Sequence, residues 1–487
     1  MHRREFIHLL GLSVTMATLK ACFSPVSKYK LPNIVFIMAD DMGYGDPGCY
    51  NPESKTPTPN IDRLARQGLR FTNAHSPGAL CIPARYGLLT GRYPFRSEIE
   101  IKGYTPPALI EPGRATIATI LQQAGYYTGC VGKWHLGFDN IENLDSNTVL
   151  TGGPCEHGFN EFFGMHASLD IPPYFYIKKN RVVEAPSEWV DAHFTEGVTP
   201  IQGEFWRAGK IAPGFRHDEV LKKFTEKSIE FLEQRSKNQP FFLYVALAAP
   251  HTPWLPEDQF KNSSQAGMYG DFVTNVDHSV GQILNKLQAL ELENNTLVIF
   301  TSDNGPVWFP QDEKTFNHRS TYFLRGMKAD AYEGGHRMPF IARWPGKIQP
   351  GTETNELICF TDMLATFATI ANQKLPPHSA EDSYDITPVL FNQPYAQPLR
   401  EATVIDGRVI IRWPWKLIFG SGLGGISTRY SDQLKALKIE GDKSGELYNL
   451  ELDPSEKTNL YEQHPDIVEN LKKLMDTYRQ QGFSVKR

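Results

Sequence analysis

Short runs of β-branched and aromatic residues alternate along this chain with stretches of helical period, and four of the runs end directly in a cluster of polar side chains. Ile34 to Met38 leads into Asp40 and Asp41, and Tyr126 to Val131 into Lys133, Trp134 and His135. Phe241 to Ala246 leads into His251, and Thr296 to Thr301 into Asp303 and Asn304. Apolar runs this short and continuous read as strands buried on both faces. Helical periodicity marks Asn60 to Gln67, Thr116 to Ala124, His217 to Gln234, Phe272 to Leu290 and Asp362 to Ala371. Asn60 is placed to cap the first of these and Gly68 to stop it, and Thr361 or Asp362 to cap the last. The alternation predicts an α/β fold with a large mixed, mostly parallel sheet sandwiched by helices. In an open parallel sheet, ligands bind at the carboxyl ends of the strands. The four clusters, far apart in sequence, are therefore expected along one edge of one sheet.

Residues 152–215 break the rhythm. They are rich in Pro, Gly and aromatic side chains and read as an excursion over a sheet edge, either shaping a pocket or simply packed there. Beyond residue 390 the pattern changes to four short strands, Thr403 to Ile405, Val409 to Arg412, Lys416 to Phe419 and Glu446 to Asn449. An amphipathic helix follows from Pro465 to Tyr478. The expected organisation is an export signal over 1–22, a catalytic domain over 30–390, and an α+β subdomain with an antiparallel sheet over 391–487.

The net charge of −5 is small and gives no broad positive field, so nucleic acid is not an expected partner. Arg3 and Arg4 precede an apolar run from Phe6 to Ala17 that has the length of a signal peptide core and is too short to span a bilayer. Arg3-Arg4-Glu5-Phe6-Ile7 resembles a twin-arginine export signal. Leu19-Lys20-Ala21-Cys22 resembles a bacterial lipobox, in which Lys20 is atypical. The expectation is an exported protein, periplasmic or held at the cell surface by a lipid on Cys22, with a plain cleaved signal as the alternative. No later segment is long and apolar enough for a membrane span.

Asp40, Asp41, Asp303 and Asn304 together supply three carboxylates and an amide oxygen. Either pair alone reads as a turn or a helix cap. As a set they are hard oxygen ligands, suited to calcium or magnesium rather than zinc, which favours His and Cys.

The most specific segment is Cys81-Ile82-Pro83-Ala84-Arg85 followed by Leu89-Thr90-Gly91-Arg92. It matches every fixed position of a signature written Cys or Ser, any residue, Pro, any residue, Arg, then Leu-Thr-Gly-Arg. On these residues the chain resembles the sulfatase family, arylsulfatase-like members of the alkaline-phosphatase-like superfamily. The resemblance extends to the C-terminal helix. Asp40 to Asp46 looks like the family's first metal motif, Gly132 to Gly137 like its second signature, and Ser302 to Gly305 like its second metal motif. Pro250-His251-Thr252-Pro253 resembles the segment of the leaving-group histidine. Arg325 to Lys328, with Glu333-Gly334-Gly335, resembles the sulfate-binding lysine loop, and Glu446 to Leu450 with Asp453-Pro454 the C-terminal hairpin.

The resemblance implies that a formylglycine-generating or sulfatase-maturing enzyme oxidises Cys81 to formylglycine. One hydroxyl of the aldehyde hydrate attacks sulfur, and the second drives sulfate release. It also implies one calcium ion on Asp40, Asp41, Asp303 and Asn304, with Arg85 stabilising the hydrate and the ligands. Lys133 and Lys328 neutralise sulfate oxygens, His251 protonates the leaving alcohol, and His135 assists the diol. Residues 83 to 89 can form a helix whose positive N-terminus lies at residue 81. With Cys81 modified and Cys22 lipidated, Cys49, Cys130, Cys155 and Cys359 remain; their spacing matches no zinc pattern, and an oxidising compartment would permit disulfides among them. Cys130 and Cys359, beside apolar residues, read as core. Asp170 or His166, in the excursion, and His318 and Arg319, after the second metal motif, are candidates for sugar contacts. An exported enzyme of this kind implies a sulfated glycan as substrate. The alternatives are a phosphate or phosphonate ester hydrolase of the same superfamily, or a non-catalytic glycan-binding lipoprotein.

Overall fold

Asn33–Asp40 forms a strand, β1, that is buried along its whole length, as a strand with neighbours on both edges and helices on both faces must be. In chain order the other strands are β2 (Leu69–Phe71), β3 (Ala74–His75), β4 (Tyr127–Lys133), β5 (Glu161–Met165), β6 (Ile177–Lys178), β7 (Arg181–Val182), β8 (Glu188–Val190) and β9 (Gly209–Ile211). They continue with β10 (Phe241–Pro250), β11 (Thr296–Ser302), β12 (Phe340–Arg343), β13 (Thr352–Thr354), β14 (Ile358–Cys359), β15 (Thr403–Ile405), β16 (Val409–Arg412), β17 (Trp415–Ile418) and β18 (Glu446–Asn449). This computed structural model describes residues 31–97, 105–142, 144–145, 147–199, 201–396, 398–430 and 445–485. The export signal and Cys22 lie outside the described residues.

One sheet takes the order β13–β2–β12–β11–β1–β10–β4–β5–β6–β7. β11, β1, β10, β4 and β5 run parallel, and β12 and β6 enter antiparallel to their inner neighbours. The mixed, mostly parallel sheet is the one the patterning predicts. β5 lies inside residues 152–215, so that segment is only in part an excursion. Its five residues include Glu161 and Gly164, and no continuous β-branched run marks it.

The helices that cover the sheet include α1 (Pro59–Arg66), α2 (Cys81–Thr90), α3 (Ile117–Gln123), α4 (Val220–Glu233) and α5 (Gly267–Ala289). α1 is not capped by Asn60. The backbone N–H groups of Asn60 and Ile61 donate instead to the Asp277 carboxylate of α5, at 3.0 and 2.8 Å. A distant acid thus satisfies the orphan donors of the first turn.

β15 to β18 form the expected separate antiparallel sheet. The C-terminal helix, Pro465–Gln481, buries Val468, Leu471, Met475 and Tyr478 against Val404, Ile410, Leu417 and Leu447 of that sheet, with Tyr93 and Cys359 in the same cluster. Each such side chain contributes roughly 1.5–3 kcal/mol on burial. Charge joins the small sheet to the rest as well. Lys416 Nζ of β17 lies 2.9 Å from Glu333 and 2.7 Å from Glu456, with all three side chains fully buried. Among the described residues no helix is long and apolar enough to cross a membrane. Cys49, Cys81, Cys130, Cys155 and Cys359 are free thiols, and Cys130 and Cys359 are core residues.

Candidate active site

The four polar clusters meet at the carboxyl edge of the central strands. β1 ends at Asp40, β4 ends at Lys133, β10 stops one residue before His251, and β11 one residue before Asp303. β10 runs four residues past its sequence pattern, to Pro250. Gly132 has φ of +121°, and a Cβ there would lie 1.8 Å from the carbonyl oxygen of Ala246 on β10, so only glycine allows this approach. Asp41 and His135 hold left-handed backbone at φ of 64° and 55°, a costly conformation for these residues that persists where the surroundings impose it.

α2 begins at Cys81, directly after the extended Leu80, and places Arg85 one turn further on. Cys81 Sγ lies 3.4 Å from Asp40 Oδ1. The Arg85 guanidinium donates to Asp303 Oδ2 from Nε at 3.1 Å and Nη2 at 2.8 Å, and to the carbonyl of Lys133 from Nη1 at 2.9 Å. Lys133 Nζ lies 2.5 Å from Asp40 Oδ2. Lys328 Nζ lies 2.7 and 2.8 Å from the two oxygens of Asp41. His251 Nδ1 is 2.6 Å from the Thr252 carbonyl, which fixes the proton there, and its Nε2 faces Asp41 Oδ2 at 3.7 Å. His135 Nδ1 is buried without a hydrogen-bond partner.

Burial alone raises Asp40, yet Lys133, His251 and Arg85 around it hold it well below the usual carboxylate range. Asp41 is raised by burial against the pull of Lys328, and Asp303 is pushed up to about 6 by burial and by Asp40. Two acids that resist ionisation beside a third are a site short of positive charge. Asn304 points the same way: its Nδ2 donates to Asp41 Oδ1 at 2.6 Å, while its Oδ1 is buried with no partner. Hard-oxygen donors converging with an orphaned amide oxygen fit a calcium-sized or magnesium-sized cation. Asp40, Asp41, Cys81 and His251 each bring a ligand atom within 4.8 Å of the others. Burial, with Asp303 and Asp40 beside it, pushes the Cys81 thiol up. Burial and the neighbouring Lys328 push His251 down to about 4.

A cavity of about 540 Å³ opens above Cys81, with Asp41, His135, His251 and Lys328 in its floor. Of the four sugar-contact candidates, Asp170 lines it. Its Oδ1 is buried without a hydrogen-bond partner, 3.9 Å from His251 Nδ1, and its Oδ2 pairs with Arg207. The other three do not line the cavity. His166 Nε2 is 2.8 Å from the Pro173 carbonyl, with its ring stacked on Phe175. His318 Nε2 is 2.8 Å from Asp46 Oδ1, and Asp46 also accepts from Gly43 N and Tyr269 OH, so this histidine braces the loop after Asp41. Arg319 is an exposed partner of Glu313 at 3.6 Å. Arg207 and Ile201, from the excursion, and Ile426 and Arg429, from the helix Gly425–Tyr430, are also in its walls. Sequence reasoning misses these four; the one available signal was an arginine in an aromatic-rich excursion.

The sequence model of the Sulfatase family matches residues 32–373. An N-acetylgalactosamine-6-O-sulfatase of Bacteroides thetaiotaomicron is 33% identical, covering 97% of this chain and 98% of that protein. Human arylsulfatase A is 36% identical over 74% of this chain and 68% of its own length. A solved sulfatase structure from work on glycosaminoglycan metabolism by B. thetaiotaomicron superposes with a TM-score of 0.79 at 32% identity, covering 93% of this chain and all of that one. The protein, with its signature cysteine at the start of α2 and its acids at the strand ends, belongs to the sulfatase family.

Proposed function

We propose that this sulfatase removes sulfate from a sulfated glycan, with a 6-sulfated N-acetylgalactosamine unit as its substrate, using formylglycine made from Cys81 and one calcium ion. The observation that carries the chemistry is the buried cluster of three carboxylates, an unpartnered Asn304 oxygen and three fixed cations with Cys81, from which Asp41, Cys81 and Lys328 open onto one cavity. The sugar follows from the near full-length similarity to the Bacteroides N-acetylgalactosamine-6-O-sulfatase. The cavity suits a sugar. Ile201, Ile426 and Val307 offer apolar walls, and Asp170 offers a charged acceptor whose free oxygen awaits a hydroxyl donor.

Asp40, Asp41, Asp303 and Asn304 would hold the ion. Bound there, calcium supplies positive charge against a sulfate oxygen and lowers the pKa of a neighbouring hydroxyl. Arg85 holds Asp303 in place and, buried and always charged, keeps the nucleophile's surroundings positive. Lys133 and Lys328, now resting on Asp40 and Asp41, are within reach of a bound sulfate and neutralise it. His251, with Nδ1–H held by Thr252, presents Nε2 to the leaving oxygen as proton donor. Burial and then Lys328 hold His251 down, and an incoming sulfate ester offsets the second of these. His135, with an unpartnered ring nitrogen, accepts the proton that accompanies sulfate release.

Peptide mass spectrometry of protein from its native host is expected to find Cys81 lighter by about 18 Da. The same protein is expected to release sulfate from 6-sulfo-N-acetylgalactosamine in a calcium-dependent reaction. Phosphate or phosphonate ester cleavage without sulfate release would move the reading to ester hydrolases of phosphorus. An unmodified Cys81 with no turnover would leave a glycan-binding protein.

A further inference from the structure

The backbone that forms the sugar-facing wall of the cavity does not stop there. Asp170 and Ile171 run on into Pro172 and Pro173, and Arg207 runs on into β9. Tyr174 N donates to the Lys210 carbonyl and Ala212 N to the Tyr174 carbonyl, each at 2.8 Å, so the two wall segments are stitched to each other. On its other edge β9 pairs antiparallel with β8, with Trp189 opposite Lys210, and a further bridge joins His193 to Trp206. Residues directly opposed in an antiparallel ladder project on the same face. Trp189 and Lys210 therefore share one face of this ribbon. The indole is 65% exposed and the lysine is exposed. Lys210 also lines a hollow of about 400 Å³ with Pro172, Pro173, Pro186 and Gly209, and Glu142 is in its wall too. Arg207 and Lys210 are three residues apart, at most about 11 Å of chain.

We propose that the Trp189–Lys210 face is an outer subsite for a second, anionic sugar unit of the glycan whose sulfated residue occupies the cavity; this rests on the glycan reading above. A broad exposed indole offers the apolar surface on which a pyranose ring stacks, and an ammonium beside it is a point charge for that unit's sulfate or carboxylate. Its continuity with the cavity wall through Pro172 and Arg207 gives the chain a path outward. The occupant is thus a sulfated oligosaccharide rather than a free monosaccharide.

The test compares wild type with W189A and K210Q, both at exposed positions. Substrates are 6-sulfo-N-acetylgalactosamine and a hexasaccharide bearing the same sulfated unit at its reactive end. The expected result is a KM for the hexasaccharide raised about tenfold in each variant, equivalent to about 1.4 kcal/mol, with kcat unchanged and both constants for the monosaccharide unchanged. W189F retains most of the affinity. Equal effects on both substrates, or none on either, overturn the proposal. So does a change in sedimentation coefficient, which would assign the face to a second copy of the chain. Calorimetric binding of the hexasaccharide is measured in parallel. If wild type releases no sulfate yet W189A binds the chain tenfold more weakly, the subsite stands and the sulfatase substrate reading falls. If binding is unaltered, the subsite falls whatever the turnover.

Discussion

Replacing Lys416 with methionine isolates the charge that joins the small sheet to the catalytic body. Lys416 Nζ sits 2.9 Å from Glu333, 2.7 Å from Glu456 and 3.2 Å from His336 Nε2, at full burial. Its removal leaves two buried carboxylates with Arg337, 3.4 Å from Glu333, as the nearby guanidinium. Breaking a buried pair in this way costs about 3–5 kcal/mol. For about 450 folded residues the unfolding entropy is about 1 kcal/mol per kelvin, so the Tm at pH 8 is expected to fall by about 3–5 °C. The pH dependence follows from the same groups. Burial pushes Glu456 up to about 7 even with Lys416 present, whereas Glu333, against its own burial, is held low by Lys416 and its neighbours. Without Lys416 the folded-state value of Glu456 rises further above the ordinary 4.5, and Glu333 loses the largest influence opposing its burial. A group raised on folding contributes stability present below its unfolded pKa and lost as pH rises through the folded value. The deficit of K416M should therefore already stand at pH 5, where wild type holds Glu333 ionised against Lys416, and widen towards pH 8 as Glu456 resists ionisation, by up to about 1.4 kcal/mol per pH unit for each proton retained. Melts by circular dichroism at both pH values read it, and K416M/E456Q should recover part of the loss at pH 8. A deficit equal at both pH values, or absent at pH 8, would refute the reasoning.

Arg85→Lys loses the two-point contact with Asp303 and the bond to the Lys133 carbonyl; sulfate release should fall by about 100-fold or more, read as kcat/KM on a sulfated sugar. Chelation should abolish turnover and lower the Tm, and calcium at 100 times its Kd should return about 2.7 kcal/mol, or roughly 3 °C by scanning calorimetry; a Tm indifferent to chelator would count against an ion on Asp40, Asp41, Asp303 and Asn304. Asp277 is raised by burial from 3.8 to about 6, so its contribution is present below 3.8 and lost as pH rises through 6. Asp277→Asn should remove that slope, changing the Tm difference from wild type by about 2–3 °C between pH 4 and 7.

The parts of this molecule that were legible in the sequence share a physical cause. A strand buried on both faces must be a continuous apolar run, and the first polar residues after it must emerge at the sheet's edge, so the pattern alone brings Asp40, Lys133, His251 and Asp303 together. What escaped depends on partners that no local period reports. Asn60 looked like a cap, but Asp277 on α5 does that work. β5, with Glu161 and Gly164 in five residues, carries too little pattern to be told from the excursion around it. His318 stands close to the Asp303 motif in sequence, but follows Asn317, in left-handed backbone, and its ring reaches Asp46 beneath the site instead of the cavity. The division is instructive about function. Groups that gather around Cys81 are fixed by strand ends and helix starts, where local physics dictates position. Groups that wall the cavity, Asp170, Arg207 and Ile426, hang from segments whose shape is set by contacts with distant chain, and Ile426 comes from beyond the large sheet altogether. The cluster around Cys81 could therefore be read from the sequence residue by residue, while the walls of the cavity above it had to wait for the fold to be assembled.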